Sequence, residues 1–133
     1  MKTLEEDHQI ALMTWAKLHQ CLDGKVADWL IAIPNGGHRH KKTAARLKAA
    51  GVKAGVSDLF LALPLGGFAG LWIELKAPKS ATAPAGTPTQ SQIDWLDRMA
   101  KAGYLATVCV GWESARDTIV GYLGGRHGHD TNG

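Results

Sequence analysis

Residues 55–79 read GVSDLFLALPLGGFAGLWIELKAPK: an acid at the head of one apolar run, a glycine-rich break, and a Glu-x-Lys triplet near the end of a second run. Both runs have the length and the apolar and aromatic content of strands. The glycines of LGGFAG, residues 65–70, permit the positive φ angles of a chain reversal. A β-hairpin is expected. With its turn centred near Gly66 and Gly67, opposed residue numbers sum to about 132 or 133, which sets Asp58 across from Glu74. Alternation along the second strand points Trp72, Glu74 and Lys76 to one face and Leu71, Ile73 and Leu75 to the other.

Two carboxylates sharing a neighbourhood repel unless a cation lies between them, and hard oxygen donors on paired strands suit Mg²⁺ or Mn²⁺. Lys76 adds a positive group beside them. Such a group can orient or deprotonate a water, or stabilise charge growing on a phosphate, which is what phosphodiester hydrolysis requires. The competing reading is a cross-strand salt-bridge cluster on an exposed sheet face, the commoner fate of an isolated Glu-x-Lys.

The segment just before Asp58 favours the first reading. Between Asp28 and Asp58 there is no acid, while Arg39, Lys41, Lys42, Arg46, Lys48 and Lys53 supply six positive charges; the whole chain carries only +3. A local basic region on a nearly neutral protein is the pattern of a polyanion docking surface, with a solvated helix face as the plainer alternative.

The rest of the chain supplies the frame. At 133 residues, 45% hydrophobic and 20% charged, it fits one packed domain. Leu4, Ala11, Trp15, Leu18 and Leu22 recur at helical steps, and Thr3 with Glu6 has capping-box spacing, predicting a helix from Thr3 to about Cys21. DWLIAIPNGG reads as a strand stopped by Pro34, and KKTAARLKAAG as a helix ended by Gly51. PKSATAPAGTPT is too poor in large side chains to pack and reads as a mobile loop, a candidate binding loop or lid. QSQIDWLDRMAKAG predicts an amphipathic helix with Ile93, Leu96 and Ala100 on its apolar stripe; the strand YLATVCV and the helix ESARDTIVGYL follow. The predicted class is α/β, a mixed β-sheet flanked by α-helices, with residues 1–123 as the domain and 124–133 as a frayed tail. Cys21 and Cys109 read as buried reduced thiols, Trp15 and Trp95 as core, and Trp72 as a residue that can line a DNA path. His38 and His40 lack partners for a zinc site, and His127 and His129 lie in the tail. No run approaches the roughly 18 apolar residues of a membrane span, and MKTLEEDHQ lacks a signal-peptide core, so the cytoplasm is the expected location.

Taken together, Asp58 followed by Glu74-Leu75-Lys76 resembles the PD-(D/E)xK nuclease signature, with Ser57 where the motif name has proline. More narrowly, EEDHQ, IPNGGHR, LKAAGVKAGVSDLFLALP, GLWIELKAPKS and TQSQIDWLDRMAKAGY, in that order over residues 5–123, resemble the VRR-NUC (virus-type replication-repair nuclease) family. The resemblance implies a restriction-endonuclease-like core and a divalent-metal-dependent DNA endonuclease. Asp58 and Glu74 would bind the metal, the Leu75 carbonyl would be an extra ligand, and Lys76 would be the catalytic lysine. It also implies a glutamate from the first helix, for which Glu5 is favoured and Glu6 is the alternative, and a glutamine opening the helix after the loop, Gln92 before Gln90. Gln9 would brace the site or lie on the surface. Stand-alone members of this kind resemble phage or prophage proteins that act as homodimers on branched DNA in a bacterial or phage-infected cell.

Two other readings compete: a catalytically silent nucleic-acid-binding domain of the same fold, and a protein-interaction domain. The joint presence of Asp58, Glu74 and Lys76 weighs against the former, and the acid-free basic segment against the latter.

Overall fold

The computed structural model describes residues 4–34 and 41–124, excluding the side chains of Lys41 and Lys42. Helix α1 (Leu4–Ala16) leads into a small hairpin, β1 (Gln20–Cys21) and β2 (Gly24–Lys25), and a 3-10 turn at Val26–Asp28. Strand β3 (Leu30–Ala32), helix α2 (Lys41–Ala49), strands β4 (Leu59–Leu61) and β5 (Leu71–Lys76), helix α3 (Gln90–Lys101), strand β6 (Leu105–Val110) and helix α4 (Trp112–Leu123) follow. The α/β class and the helix-flanked mixed sheet are as the sequence predicts.

The sheet runs β3-β4-β5-β6, antiparallel in its first two pairings and parallel in the last. The register of β4 on β5 pairs Leu59 with Ile73, Phe60 with Trp72 and Leu61 with Leu71. One further step places Asp58 opposite Glu74. The reversal bridges Leu65 to Phe68 around Gly66 and Gly67, both at positive φ. Tyr122 fastens this reversal: its hydroxyl donates to the Leu63 carbonyl and accepts the Leu65 amide hydrogen at 3.2 Å.

Alternation explains the two layers. Leu59, Leu61, Leu71, Ile73 and Leu75 are buried with Leu12 and Ala16 of α1 and Ala115, Ile119 and Tyr122 of α4. Each such leucine or isoleucine contributes about 1.5–3 kcal/mol by leaving water. Phe60 and Trp72 face the other way, stacked at 4.4 Å, and Trp95 of α3 meets Trp72 edge-on at 5.3 Å. Cys21 and Cys109 are buried free thiols.

Three expectations need correction. Helix α1 stops at Ala16 rather than near Cys21, and Leu18 and Leu22 are 75% and 68% exposed. Their spacing imitates an apolar stripe, but the chain reverses at Leu22-Asp23, where Leu22 holds a positive φ of 52, and Cys21 pairs with Gly24 across that two-residue turn. On α3, Ile93 and Ala100 are exposed, and the half-buried face is Gln92, Trp95, Leu96 and Met99, because the indole of Trp95 turns that side toward Trp72. The loop after β5 is tied down: the Gly86 amide donates to the Ala77 carbonyl at 2.9 Å, and Ser80 closes a turn with Ala83. The tail, with His127 and His129, and the segment holding His38, Arg39 and His40 lie outside the described residues.

Candidate active site

Asp58 precedes β4, and one of its carboxylate oxygens, Oδ2, accepts the amide hydrogen of Leu75 at 2.8 Å. The N–H and C=O of one strand residue project to the same edge. The Leu75 carbonyl is therefore directed toward the Asp58 side of β5. Glu74 lies next door, 1% exposed, and among the described residues neither of its oxygens has a hydrogen-bond partner. A counter-charge stands close by: Lys76, whose Nζ is 3.3 Å from Oε2 and whose side chain is 8% exposed. Burial, then the adjacent Asp58, push the Glu74 carboxyl from 4.5 up to about 8, against the opposing pull of Lys76. The exposed salt-bridge reading fails on this burial: the face carrying Glu74 and Lys76 is covered. An orphaned pair of buried carboxylate oxygens beside a second acid is a donor set that fits a hard divalent cation.

Glu5 approaches from the first turn of α1. A Cβ placed on Gly86 would lie 3.4 Å from both Glu5 Oε2 and Lys76 Cδ, so the folded-back loop, the helix glutamate and the lysine meet at one point. Glu6 is exposed. The geometry thus favours Glu5 over Glu6. Even so, among the described residues no three His, Cys, Asp or Glu side chains gather as a metal-holding group; the acids come as the Asp58–Glu74 pair, with Glu5 across the lysine.

A sequence model of the VRR-NUC domain matches residues 4–112. The chain belongs to the VRR-NUC domain family. It is also similar to a solved structure described as a VRR_NUC domain protein, at 27% identity and a TM-score of 0.79, covering 93% of this chain and 91% of that one. No curated protein matches. The VRR-NUC family is one of nuclease-type folds, so this is a nuclease-type domain.

The remaining residues expected in the site are placed less centrally in this VRR-NUC domain. Gln92 sits at the third position of α3, where its Oε1 accepts the Thr89 amide hydrogen at 2.8 Å while Thr89 Oγ1 accepts from the Gln92 amide, a capping box. Gln90 donates to Asp94 at 2.9 Å, one turn along the same helix. Gln9 is half-buried on α1. Trp72 packs beneath α3 with Phe60, Trp95 and Tyr104 rather than lining an open path.

Of the basic residues, Arg46 and Lys48 are exposed on α2, an alanine-rich helix that buries none of its described side chains, and Lys53 is exposed beyond it. Lys53 lines a cleft with Ser91, Trp95 and Arg98 of α3. Arg39 and the side chains of Lys41 and Lys42 lie outside the described residues. Sequence reasoning missed Gly86. Gly86 carried only the faint signal of a glycine in a proline-rich loop.

Proposed function

We propose that this VRR-NUC domain is a Mg²⁺- or Mn²⁺-dependent endonuclease that hydrolyses DNA phosphodiester bonds. The observation that carries the reading is Glu74: a buried carboxylate with no hydrogen-bond partner among the described residues, beside Asp58 and with an oxygen 3.3 Å from a lysine. Asp58, Glu74 and the Leu75 carbonyl would hold the cation, with Glu5 closing the set; the ion would lower the charge on the phosphate and the cost of activating water.

The protein's own groups do the rest. The Leu75 amide fixes Asp58, so the first donor is oriented before any ligand arrives. Lys76 holds a proton at Nζ, where it can orient the attacking water or stabilise the charge that grows on the phosphate as one P–O bond forms and another breaks. The attacking water gives up a proton to solvent as its P–O bond forms, and the leaving oxygen takes one up from solvent as it departs, so Lys76 ends the step as it began. Arg46, Lys48 and Lys53, with Arg39, Lys41 and Lys42 of the same acid-free segment, would hold phosphates along the backbone without reading bases.

Preference for branched DNA, action as a homodimer, and a place in the cytoplasm of a bacterial or phage-infected cell complete the proposal. They rest on the resemblance to stand-alone phage-type members. A catalytically silent DNA-binding domain is the second reading, and the commitment of Gln92 to a helix cap is the observation that favours it. One experiment tests both: supercoiled plasmid, linear duplex and a four-way junction incubated with the protein in Mg²⁺, in Mn²⁺ and in EDTA. Metal-dependent cutting, strongest on the junction and lost in Glu74→Gln, supports the proposal. Binding without cutting in either metal establishes the silent reading instead.

A further inference from the structure

Helix α4 begins in an unusual way. Its cap, Gly111, holds φ +89 and ψ 151, a backbone region that only glycine occupies readily, and so brings no side chain to accept the first free amide hydrogens of the helix. The acceptor comes from across the fold. The amide of Trp112 donates to Nδ1 of His8 on α1 at 3.0 Å, while the Gly111 amide donates to the Lys76 carbonyl at 2.8 Å. Side chains of His8, Glu113 and Pro78 surround the place where a Gly111 Cβ would stand. Three elements are joined there: the end of the strand bearing Glu74 and Lys76, the start of α4, and α1.

His8 lies three residues after Glu5, so the two share a face of α1. Glu5 in turn meets Lys76 at Gly86. We infer that His8 is a positioning residue: its hydrogen bond to Trp112 registers α1 against the end of β5 and thereby sets the distance from Glu5 to Lys76 and the acid pair. The inference rests on the nuclease reading for its kinetic consequence but not for the geometry it assigns. A simple cap would contribute only stability, whereas a positioning role reaches the metal and the turnover rate, since small displacements of a placed group are costly there.

The test compares His8→Ala with His8→Asn, whose Oδ1 occupies nearly the place of Nδ1, each alone and in a Glu5→Gln background. Folding is checked by circular dichroism, Mn²⁺ affinity by calorimetry, and junction cleavage by steady-state kinetics. His8→Ala is expected to fold, to bind Mn²⁺ about 10-fold more weakly, and to lose about 10- to 100-fold in kcat with KM for DNA unchanged. His8→Asn restores most of both, and in the Glu5→Gln background His8→Ala weakens Mn²⁺ no further. Unchanged Mn²⁺ affinity in His8→Ala with only a lower Tm, an Asn variant as impaired as Ala, or an undiminished loss in the Glu5→Gln background each overturns the role of His8. A wild type that binds Mn²⁺ but cuts no DNA overturns the nuclease reading, and the affinity arm still decides His8. A wild type that binds no Mn²⁺ overturns both.

Discussion

Asp58 accepts the amide hydrogen of Leu75 at 2.8 Å, so the acid that precedes β4 is fastened to the backbone of β5, between Glu74 and Lys76. The acid pair is therefore set by the pairing of two strands and does not wait for a ligand to assemble it. Lys76, 3.3 Å from Glu74, offsets one of the two negative charges, and the second is left over.

That imbalance makes stability depend on pH. A carboxyl whose folded pKa lies above its unfolded value keeps its proton better in the folded state. Stability is then full below about 4.5 and declines as pH rises to about 8, by at most about 1.4 kcal/mol per unit. Thermal melts of the metal-free protein between pH 4.5 and 8 should show this decline, and Glu74→Gln should flatten it. Added Mg²⁺ should raise the melting temperature of the wild type most at the alkaline end. A decline of equal size in Glu74→Gln would assign it to other groups.

Asp58→Asn and Glu74→Gln should abolish cleavage while the fold and most DNA affinity survive, because each removes one negative donor from a hard-cation site and relieves repulsion between the acids. Single-turnover cleavage at saturating Mg²⁺, with gel-shift titration on the same preparation, measures both. Turnover near the wild-type rate in either variant removes that residue from the chemistry.

Lys76→Met should separate chemistry from binding. Methionine retains most of the apolar stem, and the group removed is a cation with no lone pair to offer a metal while protonated. Metal and DNA binding should persist, and the cleavage rate should fall about 10²-fold or more. A rate close to wild type would leave Lys76 as no more than the ion-pair partner of Glu74.

Arg46, Lys48 and Lys53 stand exposed on and beyond α2. Their joint replacement by Ala should weaken binding about equally for unrelated DNA sequences. It should also lower the slope of log affinity against log salt by about 0.9 for each phosphate that is no longer neutralised. An unchanged slope would place the DNA on another surface.

Ser57 is fully buried, and its hydroxyl has no partner among the described residues. Ser57→Ala should leave cleavage intact and stabilise the protein by about 1 kcal/mol, the desolvation cost of an unsatisfied hydroxyl. A lower melting temperature would show that the hydroxyl is satisfied in solution, by water for instance.

The relation between Asp58 and Glu74 was legible because alternation and a glycine pair determine register, and register places residues across a hairpin without knowledge of anything farther away. The covered state of Glu74 and Lys76 was not, since it depends on α3 and a loop brought in from elsewhere. Leu18 and Leu22 misled for a related reason: helical spacing says which residues could share a face, while the turn at Leu22-Asp23 decides whether the helix lasts that long. His8 and Trp112 stand 104 positions apart, and only the folded chain relates them.

β5 has a neighbour on each side, antiparallel β4 and parallel β6, and all six of its positions from Leu71 to Lys76 are paired to β6. Glu74 and Lys76 thus belong to a segment expected among the last to open in any native-state fluctuation. For the two residues that β5 itself carries, the strand offers no soft hinge by which an effector could displace them while the domain stays folded. On the proposed function, restraint on these two residues would come from outside the strand, by governing which DNA reaches the cleft and how much divalent ion is free.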